Sequence, residues 1–389
     1  MQIAELEVRQ TRIPLKKPIK HASHRRTETD NIVVRCVLSD GTVGYGEGVP
    51  RDYVTGETVD TAIDLLKRSR LESHFRACGT FEAAVKLAES LTLAAIPDDD
   101  RLCQGNAARC AVEIAILDAY GRCYGEPLMN VTKLLAQELY EPKAEVRYSG
   151  AIMSASGIKA RIMGWAMRLY GFKQVKVKVG ISGQDDPARL KIIRRRVGQG
   201  TNLRVDANEA WSPAEAIGKI QALEPFGITS VEQPVKHEDI GELARIRKAI
   251  KTPIMLDESL CSEVDAERAV RHEWCDLFNL RLSKCGGFIP TLRLAQLAKR
   301  HGLGYQLGCQ VGETAILSAA GRHFATSVAG IRYLEGSYDH HLVKEALGEV
   351  DITFKRGGKA PMLIGSGLGV DINAARLESV TIRKESLLG

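Results

Sequence analysis

Lysines and carboxylates recur at the ends of short β-rich runs, one strand-plus-helix unit apart, and that pattern suits proton transfer beside a metal ion. In Val175-Lys176-Val177-Lys178-Val179 a period of two puts Lys176 and Lys178 on one face and three valines on the other. If the valines pack against helices, both ammonium groups face inward, where burial lowers a lysine pKa toward that of a useful base. On a strand with one wet face the same alternation is unremarkable. The next three runs end in carboxylates: Asp206 before Ala207-Asn208, Glu232 before Gln233-Pro234, and Asp257 before Glu258-Ser259, separated by 26 and 25 residues. A lone Asp at such a place commonly caps the following helix. Three acids on consecutive strands, with no Cys or His beside them, instead form an oxygen ligand set for a hard cation such as Mg²⁺. Lys284, 27 residues beyond Asp257 in Ser283-Lys284-Cys285-Gly286-Gly287, would stand across the mouth from Lys178. A lysine on each side of a metal-bound carboxylate is what removal and return of an α-proton requires; in isolation Lys284 reads as a surface lysine after a strand.

These residues need a scaffold that gathers strand ends. Eight β-rich runs (146–153, 174–179, 202–206, 230–232, 253–257, 277–282, 304–308 and 331–335) alternate with amphipathic stretches such as Pro213–Leu223 and Pro290–His301. Such alternation implies parallel pairing, and eight units match a (β/α)₈ barrel with its site at the C-terminal strand ends. A doubly wound open sheet fits less well, because no G-x-G-x-x-G follows the first run. Ahead of the barrel, Ile32–Leu38, the turn at Ser39-Asp40-Gly41-Thr42 and Val43–Glu47 read as a hairpin, followed by helices over Thr58–Arg68 and Ala107–Tyr120. The reading divides the chain into a cap (1–130), a barrel (140–345) and a tail (346–389) that packs back on the cap, with β-pieces at Val350–Phe354 and Val380–Ile382.

Composition excludes several classes. The 389 residues carry 54 Lys and Arg against 48 Asp and Glu, and this thin net charge of +6 does not indicate nucleic-acid binding. Hydrophobic residues at 44% and charged residues at 26% exclude disordered and fibrous chains. No stretch approaches the ~20 apolar residues of a membrane span, so a cytoplasmic protein is expected. Nine scattered cysteines without a C-x-x-C pair read as reduced, mostly buried thiols, and Arg194-Arg195-Arg196 as the solvated face of a helix. Thirty-six glycines, above the roughly 7% average, point to many tight connections.

Taken jointly, Lys176-Val177-Lys178, Asp206-Ala207-Asn208, Glu232-Gln233-Pro234, Asp257-Glu258-Ser259 and Lys284-Cys285-Gly286-Gly287, with the helix from Ala111 to Tyr120 running into Gly125-Glu126-Pro127-Leu128, resemble the enolase superfamily in its muconate-lactonizing-enzyme subgroup. The resemblance implies a barrel with an α+β capping domain made from both termini, and a homo-oligomer. It implies Mg²⁺, with Mn²⁺ as the alternative, on Asp206, Glu232 and Asp257. Lys178 and Lys284 become opposed acid/base groups, Lys176 an electrostatic helper, and Asn208 and Glu258 supports beside the ligands. The activity it implies is isomerisation of a carboxylate through an ene-diolate: an epimerase or racemase of an amino-acid derivative or dipeptide, or a muconate-type cycloisomerase. A lyase resembling o-succinylbenzoate synthase or an acid dehydratase is the alternative, and a non-catalytic member would have lost one of these residues.

Substrate contacts are expected from two cap loops. One is the basic segment Lys20–Arg26, with His24 and Arg25, suited to a second carboxylate; the other holds Tyr53-Val54-Thr55-Gly56-Glu57, which looks like a loop of dipeptide epimerases. Glu313, after run seven, and Glu335, ending run eight, are further candidates. The Asp-x-Asp pair with which dipeptide epimerases hold a substrate ammonium is missing from Glu335-Gly336-Ser337-Tyr338-Asp339-His340-His341.

Overall fold

A computed structural model describes residues 1–20 and 25–388. The chain opens with three antiparallel strands, β1 (Ile3–Lys20), β2 (Arg25–Leu38) and β3 (Val43–Gly48), and its last strand, β14 (Thr381–Ser386), joins the other edge of β1. The expected hairpin is β2–β3, in a register that pairs Val37 with Val43 and Ile32 with Gly48. Helix Asn106–Tyr124 lies against it, and the alternating glycines of Val43-Gly44-Tyr45-Gly46-Glu47-Gly48 are the reason it can come so close. A Cβ on Gly46 would meet Ala111 O at 2.0 Å, and one on Gly48 would meet Ala107 O at 2.0 Å. Part of the glycine excess therefore serves helix-on-sheet contact rather than turns.

Eight parallel strands follow in chain order: β5 (Gly150–Ile152), β6 (Gln174–Lys178), β7 (Asn202–Asp206), β8 (Ile228–Glu232), β9 (Ile254–Leu256), β10 (Leu277–Leu280), β11 (Gly304–Leu307) and β12 (Ile331–Leu334). Ser149 N–H donates to Leu334 O at 2.8 Å, joining first strand to last in a (β/α)₈ barrel. Several of the intervening helices begin at side-chain caps. Pro213–Leu223, for example, starts with proline at its first turn and a Ser212–Glu215 capping box, which satisfies amides the helix leaves free. The valines of β6 are buried as expected, Val175 and Val177 completely, so both lysines of that strand point to the barrel axis.

Three expectations need correction. The run 146–153 is two strands, because β4 (Glu145–Arg147) pairs antiparallel with β13 (Lys359–Pro361) before the chain enters the barrel at β5. The tail thus touches the barrel side as well as the cap, and Val350–Phe354 forms no strand. Arg194 is buried, not solvated: its guanidinium donates to the carbonyls of Phe226, Gly198, Thr201 and Gly227 at 2.7–3.0 Å, tying one βα unit to the next, while Arg195 and Arg196 are exposed. All nine cysteines are free and seven are buried. Among the described residues no helix is long and apolar enough to cross a membrane.

The cap is fixed to the barrel by carboxylates placed on helix N-termini, where exposed amides and the helix dipole favour negative charge. Glu47, from β3, accepts from Thr314 N–H, Thr314 Oγ1 and Leu317 N–H at 2.8–3.1 Å, at the start of barrel helix Ala315–Ser327. Glu113 does the same at Ile289 N–H, 3.0 Å, for helix Phe288–Arg300. Within the cap, Glu57 accepts from Ala107 N–H at 3.0 Å and Ala108 N–H at 3.3 Å.

Candidate active site

Sheet register builds the floor of the site. Lys178, Asp206 and Glu232 are partners across β6, β7 and β8, each the last residue of its strand. Lys178 donates to Asn208 Oδ1 at 2.5 Å and lies 3.9 Å from Asp206 Oδ2; Asn208 in turn donates to Glu258 Oε1 at 2.7 Å. Asn208 adopts φ +50°, a left-handed conformation asparagine tolerates better than most residues, and this turns its amide back toward Lys178.

Lys176 sits deeper. Its ammonium is 2.9 Å from Glu335 Oε2, 3.4 Å from Asp206 Oδ2 and 3.5 Å from Glu232 Oε2. Burial alone would depress its pKa, as the sequence suggested, but Glu232, Glu335 and Asp206 outweigh that effect and raise it. Lys176 is a fixed cation. Glu335 is explained by the same cluster: one oxygen meets Lys176, the other is paired with the buried Arg204, and these cations pull its carboxyl down to about 2 against the effect of burial. Both its oxygens are committed below the carboxylate layer, so the expected substrate contact through Glu335 is replaced by a supporting one.

Lys284 follows β10 and is fully buried. Its three N–H groups go to Asp257 O at 2.7 Å, Asn279 O at 2.8 Å and Asp257 Oδ1 at 2.9 Å. Burial disfavours its charge, but Asp257 prevails and the pKa is raised, so this lysine rests as an ammonium. The cap holds its backbone: Asn106 Nδ2 donates to Lys284 O at 2.6 Å and to Cys261 O at 2.7 Å. Gly286 and Gly287 then turn the chain at φ +91° and +127°, and a Cβ on Gly287 would lie 2.4 Å from Glu113 Oε1.

Asp257 and Glu232 differ in state. Burial opposes the charge of Asp257, yet Arg281 and Lys284 hold its carboxyl below the usual range. Glu232 is pushed up to about 8 by burial, which Lys176 offsets only in part and which the neighbouring carboxylates Asp206, Glu335 and Asp257 reinforce. Glu232 Oε1 accepts from Asn279 at 2.7 Å, but Oε2 is buried with no hydrogen-bond partner. As the side chains stand, no three Asp, Glu, His or Cys residues among the described ones converge on a point that could hold a metal. Arg281 pairs with Asp257 Oδ2 and lies 3.6 Å from Glu232 Oε1. The donor chemistry still fits a hard divalent cation: three carboxylates on adjacent strands, one with an orphaned oxygen, and no softer ligand.

The other predicted contacts are dispersed. Tyr53 is half-buried under the Arg26 guanidinium, which stands 5.5 Å from its ring. Glu313 accepts from Gln310 N–H at 2.6 Å and is raised to about 8, chiefly by burial. His24 lies outside the described residues, and Arg25 is placed only as the β2 partner of Lys20. Three functional-looking residues escaped the sequence reading: Arg204, Asn279 and Arg281. The signal was present, because Leu203-Arg204-Val205-Asp206 and Asn279-Leu280-Arg281-Leu282 alternate as the lysine strand does.

Known proteins resemble this chain over most of its length. Residues 161–376 match the family described as enolase C-terminal domain-like. The chain is 28% identical to the N-succinyl-L-Arg/Lys racemase of Bacillus cereus over 98% of both chains. It is 33% identical to the L-Ala-D/L-Glu epimerase of Clostridium acetobutylicum over 82% of this chain and 86% of that one. The crystal structure of the Cytophaga hutchinsonii dipeptide epimerase, complexed with Mg and D-Ala-L-Val, superposes with a TM-score of 0.84 at 27% identity, covering all of both chains. The chain belongs to the enolase superfamily, in its muconate-lactonizing subgroup, and is one of that superfamily's isomerases.

Proposed function

We propose that this isomerase is a Mg²⁺-dependent racemase or epimerase of an N-acylated amino acid, moving the α-proton between Lys178 and Lys284. The observation that carries the reading is their placement: Lys178 ends β6 and Lys284 follows β10, four strands apart in a circuit of eight, with Asp206, Glu232 and Asp257 between them. Asp206, Glu232 and Asp257 would hold the metal, whose charge stabilises the electron density that builds on the substrate carboxylate as the proton leaves. Lys178, held among the described residues by Asn208 and the edge of Asp206, is the residue free to turn toward an α-carbon. Lys284 has all three N–H groups donated and is charged, ready to return a proton from the other face. In the reverse direction the roles exchange, as microscopic reversibility demands.

An N-acyl group is favoured over a free ammonium by the end of β12. Glu335 is committed to Arg204 and Lys176, and Asp339, the next carboxylate, is buried at the start of helix Asp339–Leu342. No exposed acidic pair stands there to receive an ammonium. The test is incubation in D₂O with Mg²⁺ and panels of N-acyl amino acids, dipeptides and muconate-type diacids. Deuterium at the α-carbon with loss of optical activity, greatest for the N-acyl panel, is expected. Exchange confined to dipeptides would overturn the substrate class, and loss of water from the substrate would replace the isomerase by a lyase.

A further inference from the structure

Arg281 stands just beyond β10, on the same face as Asn279, with its guanidinium between two of the three carboxylates. Among the described residues its ion pairs are with Asp257 and Glu232. The side chain is largely buried at 14% exposure, and its Nε has no hydrogen-bond partner. Its Nη2 donates to Asp257 while Nε goes unsatisfied, so the buried guanidinium is only partly complemented where it lies.

The carboxylates of the floor already face cations. Asp206, Glu232, Asp257 and Glu335 stand against Lys176, Lys178, Arg204, Arg281 and Lys284, each within 4 Å of at least one of those carboxylate oxygens. A divalent cation entering this set adds two positive charges to a floor that already holds five basic side chains. Four of the five have another partner: Lys176 and Arg204 are anchored by Glu335, Lys178 donates to Asn208, and Lys284 bonds two backbone carbonyls. Among the described residues Arg281 has no ion-pair anchor outside the two carboxylates the metal would use.

We propose that Arg281 is a built-in counter-ion which holds Asp257 and Glu232 in the metal-free protein and competes with the divalent cation for them, so that it is a positioning residue that sets metal affinity. The proposal rests on the assignment of Asp206, Glu232 and Asp257 as ligands. It makes Arg281 a ballast: it prevents three buried carboxylates from repelling one another when no metal is bound, and weakens the metal that replaces it.

The experiment is calorimetric titration of Mn²⁺ into the EDTA-treated full chain, for the parent, Arg281→Met, Arg281→Lys and Asp206→Asn, with thermal unfolding of each in EDTA and in Mn²⁺. Arg281→Met should bind Mn²⁺ at least tenfold more tightly than the parent, and should unfold earlier in EDTA with a larger rise on adding Mn²⁺. Arg281→Lys, which keeps the charge on a shorter side chain with a compact ammonium, should fall between them. It also carries the comparison if the methionine variant does not fold. Binding by the parent that is unchanged within threefold, or weaker, in both Arg281 variants overturns the counter-ion role and leaves the ligand assignment standing. Failure of the parent to bind, or binding unaffected by Asp206→Asn, overturns both.

Discussion

Asn106 offers a test of how the cap controls the chemistry without touching it. Its side-chain amide reaches from the first turn of helix Asn106–Tyr124 to two carbonyls of the barrel, Cys261 O at 2.7 Å and Lys284 O at 2.6 Å, separated from it in sequence by 155 and 178 residues. Asn106→Ala deletes both hydrogen bonds and leaves two buried carbonyls without these donors. At roughly 1 kcal/mol for each bond, plus part of the penalty for an unsatisfied buried group, the loss is about 2–4 kcal/mol. The better helix propensity of alanine returns less than ~0.7 kcal/mol of it. For a chain of 389 residues the unfolding temperature should therefore fall by roughly 2–5 °C. Turnover should suffer separately, because the Lys284 backbone loses its tether, and a misplacement of ~1 Å costs on the order of a hundredfold in rate. Asn106→Asp is the sharper variant: it nearly preserves volume but turns a donor into an acceptor facing two carbonyls, so it should be worse than alanine in both measurements. Racemisation followed by polarimetry, beside differential scanning fluorimetry, reads the two effects. An aspartate variant that matches the parent in rate and unfolding temperature would refute the reasoning.

Two further predictions concern charge. Lys284→Ala should abolish racemisation, whereas Lys178→Ala should abolish α-proton exchange with solvent deuterium for one enantiomer and preserve folding; D₂O exchange followed by mass spectrometry for each enantiomer separates them, and full activity in either variant would sink the two-base scheme. Glu57 is completely buried and raised to about 8, chiefly by burial, against the hydrogen bonds from Thr55, Ala107 and Ala108. Between pH ~4.5 and 8 the unfolded chain sheds a proton that the folded chain retains, so stability declines as pH rises through that window. Glu57→Gln keeps an acceptor for the two helix amides and cannot ionise. It should flatten that decline in urea-unfolding curves taken at pH 5 and pH 8, gaining a few kcal/mol at the upper pH relative to the parent.

Which residues could be read from the sequence follows from how the barrel converts linear spacing into proximity. Parallel strands in chain order place every strand end on one rim, so Asp206, Glu232 and Asp257, one βα unit apart, become neighbours with no local motif. Alternation on β6 then decides that Lys176 and Lys178 share the inner face. The same rule applied to β7 and β10 places Arg204 and Arg281 among the carboxylates, but an arginine between apolar residues draws attention only when the charge it must neutralise is known. Charge balance is a property of the assembled floor. That is why Lys176, expected to lose its proton through burial, instead keeps it, and why Glu335 is a tether and not an open contact. Cap residues lay further beyond reach. Glu47, Glu57, Glu113 and Asn106 act on helix termini or carbonyls dozens to hundreds of residues away, and nothing in their local sequence distinguishes them from solvated polar side chains. The split of the first run at Tyr148–Ser149 has the same origin, since only the distant Lys359–Pro361 takes Glu145–Arg147 out of the barrel.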